Sequence, residues 1–560
     1  MYLPAAIERS AAPAAVRLAL ERLGESQPAV LDRLAGEGRL RDAFVAVTGA
    51  SRSLTELVLT EPAAVEVLAD LERRPPVRGD LRRWKRLELL RIAARDLLGI
   101  DGLPEVGAGL ARMAADVLVA AAPAPGLAVI GMGKLGGCEL NYSSDVDIMF
   151  VSSGDNAPGE DVRAARAVLD AARSCFRIDV DLRPEGRDGP LVRSLASYEA
   201  YWDRWAQTWE FQALLKARPV AGDPALGQRF ATAAAARLWE RPFTAEDLRA
   251  VRSMKARAEA ELARKGLTDR EVKRGRGGIR DIEFSVQLLQ LVHGGADPAL
   301  RSPTTLDALT ELGAGGYIEP EDARALDYAY RLLRTVEHRL QLVAEQQVHT
   351  LPAGGEAMDR LARVMGYRDT AEAGAGELLA GYLTRQQATV RAIHEHLFFR
   401  PLLDQLTRGA TPPLPDVAVA TRLAAFGFAD AERTRQAIRE LTRGLTRSSR
   451  LMQQMLPLLL GWLSESPDPD LGLLGLRILT TGDQRATELA VAFRESPEAA
   501  RRLCLLLGTG RVFVETFEHQ PDMIPSLGQP DGLAPRPHGA LLAGSTNALA
   551  WREHVEDRQL

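Results

Sequence analysis

The stretch GMGKLGGCELNYSSDVDIMF, residues 131–150, decides the fold of the region around it. It follows the short apolar run GLAVI and ends in DVDIMFV, where acidic and apolar residues alternate as they do in a half-buried β-strand. Successive side chains of a strand point to opposite faces, so Asp145 and Asp147 would project from the same face. We therefore expect two strands joined by a glycine-rich loop, with a carboxylate pair at the start of the second strand.

Residues 106–225 are predicted to form a small α/β domain with a mixed sheet. The segment EDVRAARAVLDAARSC (160–175) has helical spacing, and FRIDVDLR (176–183) predicts a further strand with Asp179 and Asp181 on one face. Elsewhere Ala, Leu, Arg and Glu dominate, and apolar residues recur every three or four positions, as in amphipathic helices. The predicted fold class is mainly α, multidomain, with one inserted α/β domain.

A chain of 560 residues exceeds what one core normally uses, so several domains are expected. Composition and breaker residues divide it into an N-terminal helical region (1–105), the α/β domain (106–225), a helical bundle (226–400) and a central helical linker or regulatory region (401–525). Residues 526–560 begin Pro- and Gly-rich, as a linker does.

The charge balance and the cysteine content exclude several functional classes. The 70 basic and 75 acidic side chains give a net charge of −5, which argues against a protein that coats nucleic acid. Three cysteines without a CxxC motif argue against a disulfide scaffold or zinc ribbon and favour a reducing cytoplasm. Because no secretory leader or membrane-length apolar run is evident, a membrane partner is not expected either.

Two familiar nucleotide-binding motifs fit the glycines poorly. Gly131, Gly133 and Gly136 satisfy G-x-G-x-x-G, but a dinucleotide-binding fold needs a helix after them and an acidic residue about twenty positions on. Here another strand and its carboxylates follow sooner. A P-loop also fails, because Lys134 precedes leucine rather than Ser or Thr and Ala128 occupies the first glycine position.

The pattern is typical instead of the nucleotidyltransferase superfamily, in which a Gly-Gly turn precedes Asp-x-Asp in a strand. Asp145 and Asp147 could share divalent cations, and Asp179 from a neighbouring strand would complete the site. Metals held in this way stabilise the attacking and leaving oxygens at a phosphorus. Gly136 and Gly137 would let backbone N–H groups approach phosphate oxygens, with Ser143 or Ser144 and Lys134 as further donors. The alternative is a solvated edge strand with incidental acidic residues.

Lysine is rare in this arginine-rich chain, which makes its positions informative. It occurs only at 85, 134, 216, 255, 265 and 273, and Lys134 and Lys216 fall in the α/β domain. The compact ammonium group suits a phosphate pocket, although chance placement explains two lysines equally well. The motif GRGGIRDIEF (275–284) is expected to start a helix that packs on the α/β domain. The alternative is that Arg280 or Glu283 lines the site.

Four motifs in register closely resemble the family of bifunctional glutamine synthetase adenylyltransferase/adenylyl-removing enzymes. They are residues 131–150, RIDVDLRPEGRDGPLVRS (177–194), WEFQALLKARPVAGD (209–223) and GRGGIRDIEFSVQ (275–287). The resemblance extends over roughly residues 80–400 and more weakly to the end. It identifies the chain as the N-terminal, adenylyl-removing half with the central linker, and the tail ALAWREHVEDRQL as the lead-in to a second catalytic domain.

The resemblance implies phosphorolytic removal of AMP from an adenylylated tyrosine of glutamine synthetase, which yields ADP. Asp145, Asp147 and Asp179 would bind Mg²⁺ or Mn²⁺; the family pattern favours Asp179 over Asp181 as the third ligand. The further implied phosphate-binding and nucleotide-binding residues are Gly136, Gly137, Ser144, Lys134, Lys216, Arg218 and Arg183. The implied partners are adenylylated glutamine synthetase, phosphate or ADP, and a PII signal protein.

Two alternatives remain open. The same fold could transfer AMP from ATP onto the tyrosine, which would require a base for a phenol with a pKa of about 10, and no such base is evident. Alternatively, the chain could be a catalytically silent module that binds glutamine synthetase and PII. The intact acidic residues Asp145, Asp147 and Asp179 argue against that second reading.

Overall fold

The computed structural model describes residues 3–121, 125–154, 159–241, 270–407, 427–442 and most of 455–528, with single positions between them. The chain forms two compact units, residues 1–397 and residues 398–560. The first unit therefore takes in the three regions predicted as 1–105, 106–225 and 226–400, and its end lies beside the predicted boundary at 400. Residues 529–560, most of the predicted terminal linker, lie outside the described residues.

The first unit begins with a series of helices that form one apolar core. Prolines open several of them, and the side chain of Asp80 accepts backbone N–H groups at the start of α7. Leu54, Leu90 and Leu110 are among the residues fully buried between these helices. The helices are Leu3–Arg9 (α1), Pro13–Ser26 (α2), Pro28–Gly36 (α3), Gly38–Ala50 (α4), Arg52–Thr60 (α5), Pro62–Ala69 (α6), Leu81–Leu97 (α7) and Leu103–Ala120 (α8).

A small mixed sheet follows, as predicted. Its strands are Leu127–Gly131 (β1), Val146–Ser152 (β2), Ile178–Asp179 (β3), Val192–Ser194 (β4) and Arg218–Gly222 (β5). β1 pairs antiparallel with β2 and with β5, whereas β2 pairs parallel with β3 and β4 along its other edge. The antiparallel β1–β2 pair is not the parallel βαβ unit of a dinucleotide-binding fold.

Helices cover both faces of the sheet. Val129 and Ile148 pack on the core of the N-terminal helices, whereas Ile130 and Met149 pack on a second core from the helices after β4. The helices within and after the sheet are Gly133–Gly136 (α9), Glu160–Arg173 (α10), Leu195–Arg204 (α11), Thr208–Leu214 (α12) and Pro224–Glu240 (α13). The two strands β1 and β2 are thus buried on both sides, and a polar side chain in them is an exception that needs explaining.

The strand predicted at FRIDVDLR is much shorter than expected. Of this segment, only Ile178–Asp179 pairs with β2, and the chain turns directly afterwards. The Asp179 carboxylate accepts the Asp181 N–H at 2.7 Å, and Arg183 donates to the carbonyl of Val180 at 2.8 Å. These local hydrogen bonds compete with the sheet for the backbone, because short Asp side chains readily stabilise turns.

The predicted helical bundle forms the remainder of the first unit. Its helices are Ile279–His293 (α14), Thr305–Ala314 (α15), Pro320–Leu342 (α16), Gly355–Val364 (α17) and, as far as residue 397, Ala375–Thr407 (α18). Apolar residues of α16 at three- and four-residue spacing face this core, where Leu326, Leu333 and Val336 are fully buried. The mainly helical chain with a small mixed sheet therefore agrees with the predicted fold class.

The second unit is helical where it is described. Its core includes Leu463, Leu476 and Phe493, which are fully buried. Its longer helices are Ala431–Thr442 (α19), Pro469–Leu479 (α20), Pro497–Leu507 (α21) and Arg511–His519 (α22). Within the described part of the chain, none of the helices combines the length and the apolar character needed to cross a bilayer.

Candidate active site

Asp147 and Asp179 are direct neighbours across two parallel strands. They are paired in register where β2 meets β3. Asp147 is the one half-buried residue of β2, whose other residues are buried. Its carboxylate lies against Gly133, where a side-chain Cβ would meet Oδ2 at 2.6 Å. Because Gly133 also has a φ of +50°, this position favours glycine on both grounds.

Asp145 lies one residue before β2 and points to a different partner. Nε of Arg177 donates to Oδ1 of Asp145 at 2.7 Å, and Gln347 approaches the other oxygen at 3.4 Å. Both side chains of the Asp145–Arg177 pair are partly exposed, so the ion pair itself contributes little stability. Asp145 is thus bound by Arg177, whereas Asp147 lies beside Asp179, and the charge of Asp145 still acts on Asp147.

The electrostatics of Asp147 fit a cation site. Burial, together with the charges of Asp179 and Asp145, raises the pKa of Asp147 to about 7, although Lys134 and Lys273 lower it. Among the residues described, no three or more His, Cys, Asp or Glu side chains are gathered tightly enough to hold a metal ion. Asp147 and Asp179 could hold a hard divalent cation, whose charge would relieve the cost of the ionised pair.

Asp179 and Asp181 occupy distinct environments, although the sequence placed them on one strand face. Asp181 lies after β3 and forms an ion pair with Arg187 at 2.6 Å. Asp179 is the acidic residue beside Asp147. The family resemblance favours Asp179 over Asp181 as the third ligand, and Asp179 is the residue paired with Asp147.

The glycine turn packs against the segment that leads into β5. A Cβ on Gly136 would lie 1.6 Å from the carbonyl oxygen of Lys216, and one on Gly137 would lie 2.9 Å from that of Pro303. The N–H groups of Gly136 and Gly137 donate to Met132 and Gly133 at 3.0 Å within the short helix α9. Close backbone approach therefore accounts for both glycines here, and their predicted role toward phosphate stays a prediction.

Three of the predicted phosphate-binding cations are engaged with protein groups. Lys216 is buried and donates to Glu139 at 2.6 Å and to Thr305 at 3.1 Å. Arg218 donates to the carbonyls of Leu135 and Gly136 at 3.1 Å. The buried Arg183 donates to the carbonyls of Val180, Arg187 and Gly189. These contacts hold the glycine turn and the loop after β3 in shape.

Helix α16 fixes the segment between the glycine turn and β2. The fully buried Arg334 donates to the carbonyl of Glu139 at 2.7 Å and to the side chain of Asn141. Further along, the N–H of Ser143 donates to Oε1 of Gln341 at 2.9 Å, and its hydroxyl donates to the Glu345 carbonyl. Ser144 follows half-buried, directly before Asp145.

The sequence reasoning missed Lys273, which reaches the site from the segment before α14. Burial and the neighbouring Lys134 ammonium lower the pKa of Lys273 to about 8. Glu283 on α14 is also nearby: burial would raise its pKa, but the charges of Lys216, Lys134, Arg334 and Lys273 lower it. The alternative that GRGGIRDIEF contributes to the site thus gains support through Glu283. The rarity of lysine and the proximity of 273 to this motif were the available signals.

Comparison with known proteins gives consistent matches. A family model described as glutamate-ammonia ligase adenylyltransferase matches residues 120–233, and one described as GlnD PII-uridylyltransferase matches residues 252–398. Three similar curated proteins are all named bifunctional glutamine synthetase adenylyltransferase/adenylyl-removing enzyme. The Streptomyces avermitilis protein is 40% identical over 94% of this chain and 57% of its own length. The Streptomyces coelicolor protein is 40% identical over 96% and 59%, and the Mycobacterium leprae protein 41% identical over 76% and 42%. The chain therefore spans less than two thirds of the length of these relatives.

Proposed function

Since the chain belongs to the family of bifunctional glutamine synthetase adenylyltransferase/adenylyl-removing enzymes, we propose that it removes AMP from adenylylated glutamine synthetase by phosphorolysis. The observation that carries the proposal is the register pairing of Asp147 with Asp179, beside the glycine turn. An acidic pair next to cationic side chains suits phosphoryl chemistry, which depends on positioning and charge stabilisation. The fold would be that of a nucleotidyltransferase.

The proposed reaction exchanges one bond at the α-phosphorus. An oxygen of hydrogen phosphate forms a bond to this phosphorus, and the bond to the tyrosine oxygen breaks. The proton of hydrogen phosphate ends on that oxygen, so the products are ADP and unmodified tyrosine. Phosphate is already an anion at neutral pH, and the reaction in this direction therefore needs positive charge rather than a base for the nucleophile. Lys134 and Lys273 supply positive charge beside Asp147.

Asp147 and Asp179 would hold Mg²⁺ or Mn²⁺, with Asp145 as the further predicted ligand. When bound, such a cation neutralises charge on the phosphoryl oxygens. The half-buried Asp147 keeps its position because Gly133 leaves room for the carboxylate and the strand fixes the backbone. Ser144, Gly136 and Gly137 would face the nucleotide, and Arg334 would keep their segment in place through the carbonyl of Glu139.

The partners follow from the same proposal. Adenylylated glutamine synthetase would be the protein substrate, in the cytoplasm, and a PII signal protein would regulate the activity. The match of residues 252–398 to a model described as PII-uridylyltransferase supports a relation to this signalling, without assigning a binding surface.

The test is to incubate the chain with adenylylated glutamine synthetase, Mg²⁺ and phosphate and to follow ADP release. Asp147→Asn should abolish the phosphate-dependent ADP. Asp181→Asn is the matched control, because Asp181 lies just beyond the site and pairs with Arg187. It should retain the activity.

Two other outcomes would replace the proposal. Incorporation of AMP from ATP into unmodified glutamine synthetase, with release of pyrophosphate, would assign the opposite direction. Binding of glutamine synthetase without either reaction, unchanged by Asp147→Asn, would indicate a silent regulatory module.

A further inference from the structure

Lys134 and Lys273 differ from the other lysines that the structure describes. Lys85 pairs with Glu345 at 3.6 Å, and Lys216 pairs with Glu139 at 2.6 Å. Within the described residues, neither Lys134 nor Lys273 forms an ion pair, although both are half-buried. The side chain of Lys273 contacts that of Lys134, and Val272, His349, Glu337 and Arg334 connect its segment to the loop that follows Lys134. Two ammonium groups this close repel each other, which costs free energy unless an anion joins them.

The acidic groups around this lysine pair balance only part of its charge. Glu337 on α16 is engaged elsewhere, 2.8 Å from Nδ1 of His349 and 3.2 Å from Nε of Arg334. Glu283 lies 3.5 Å from the neutral hydroxyl of Tyr330, so its carboxylate offsets one of the two lysine charges. Asp147 would be neutralised by the divalent cation of the proposed function. The lysine pair therefore keeps a surplus of positive charge in the working site.

Both lysines are held on ordered backbone. Lys134 is the second residue of the short helix α9, directly after the Gly133 that packs on Asp147. The N–H of Lys273 donates to Glu271 at 2.8 Å, and its carbonyl accepts the N–H of Arg280 at 2.9 Å. The backbone that carries the two charges is thus ordered before any ligand arrives, which lowers the entropic cost of binding an anion.

We propose that Lys134 and Lys273 form the subsite for the phosphoryl group that becomes the β-phosphate of ADP, an inference that rests on the proposed phosphorolysis. The ligand is inorganic phosphate before the reaction and the terminal phosphate of a nucleoside diphosphate after it. An ammonium group donates in three directions and accommodates a tetrahedral anion as a point charge. The α-phosphate, by contrast, would be bound by the cation that Asp147 and Asp179 would hold.

The bundle thereby takes part in the chemistry. Lys134 belongs to the α/β domain, whereas Lys273 comes from the region predicted as a separate helical bundle. The segment of Lys273 is anchored to that region, because Val272 donates to the carbonyl of His349 at 2.9 Å. Neither region alone would hold both charges.

The experiment compares ADP with AMP, which differ by the β-phosphate, using isothermal titration calorimetry of the full chain with Mg²⁺. Lys273→Met should weaken ADP binding about 10- to 100-fold, as expected for loss of a charged hydrogen bond, and AMP binding by less than about 2-fold. Lys273→Arg retains the charge and should recover part of the ADP affinity. Lys134→Met probes the same subsite from the other region and should reproduce the selective loss.

Lys85→Met is the control, since that lysine is equally half-buried but paired with Glu345; it should leave the ratio of ADP to AMP affinity unchanged. Equal losses for ADP and AMP in the Lys273 and Lys134 variants, or no loss in either, would overturn the subsite. Binding is measured without glutamine synthetase, so the two proposals can fail separately. An ADP-selective loss in a protein that releases no ADP from adenylylated glutamine synthetase would keep the subsite and reject phosphorolysis. Phosphate-dependent ADP release with an unchanged phosphate KM in Lys273→Met would keep phosphorolysis and reject the subsite.

Discussion

Nζ of Lys216 lies 2.6 Å from Oε2 of Glu139, and both side chains are buried beneath the glycine turn. Glu139 also accepts from the backbone and the hydroxyl of Thr305, so this ion pair joins the segment just before β5, the loop after α9 and helix α15. Lys216→Met would leave the buried carboxylate without its cation. We expect it to lower the free energy of unfolding by about 3–5 kcal/mol, measured by chemical denaturation.

The double variant Lys216→Met/Glu139→Met separates this structural role from phosphate binding. Replacing both members of a buried ion pair by apolar side chains is often close to neutral, so most of the lost stability should return. A Lys216→Met protein with unchanged stability and weakened phosphate binding would show instead that the sequence-based role of Lys216 was right.

Asp179 and Asp181 offer a matched pair of substitutions for the cation site. Asp179→Asn should weaken Mn²⁺ binding, followed by electron paramagnetic resonance, at least about 10-fold, because it removes a charged ligand next to Asp147. Asp181→Asn should leave Mn²⁺ affinity within about 2-fold, since Asp181 pairs with Arg187. The opposite ranking would make Asp181 the ligand.

The raised pKa of Asp147 makes the stability of the cation-free protein depend on pH. Its pKa rises from the ordinary 3.8 to about 7, so the folded protein retains a proton that the unfolded chain has lost in this range. The contribution of the protonated group is complete below pH 4 and is lost as the pH rises towards 7. Asp147→Asn should therefore match the wild type at pH 4 and exceed its stability at pH 8 by about 4 kcal/mol.

Thermal denaturation in EDTA between pH 4 and pH 8 measures this difference. Asp181→Asn, which lies outside the Asp147 environment, should run parallel to the wild type across the range. A stability difference for Asp147→Asn that does not change with pH would contradict the assigned titration.

Arg334 should control the order of the segment that leads into β2. Its guanidinium donates to Tyr330 at 2.8 Å, to the carbonyl of Glu139 at 2.7 Å and to Asn141. Arg334→Met removes these bonds and leaves buried acceptors unsatisfied, at a cost of about 3 kcal/mol or more. Hydrogen exchange should quicken at residues 139–145, and Arg334→Lys should restore part of the protection. Unchanged exchange there would separate Arg334 from the loop.

Local patterns predicted the parts of the site that are close in the sequence. The strand of Asp147, the glycine turn and the helix at 160–173 follow from alternation, breaker residues and helical spacing, and they were predicted. The short length of β3 was not predicted, because the turn formed by Asp179 and Arg183 competes with strand pairing. The inward direction of Lys216 and the arrival of Lys273 depend on tertiary contacts between distant segments, which no local pattern encodes.

The contacts of α16 have a consequence for the order of events during protein synthesis. Ser143 is bound by Gln341, 198 positions later, and Asp96 is bound by Arg339, 243 positions later. A ribosome releases the acidic strand long before it releases this helix, and contacts so distant along the chain form late in folding. The nascent polypeptide therefore exposes Asp145 and Asp147 for about 10 s or more before the contacts that order their loop can form.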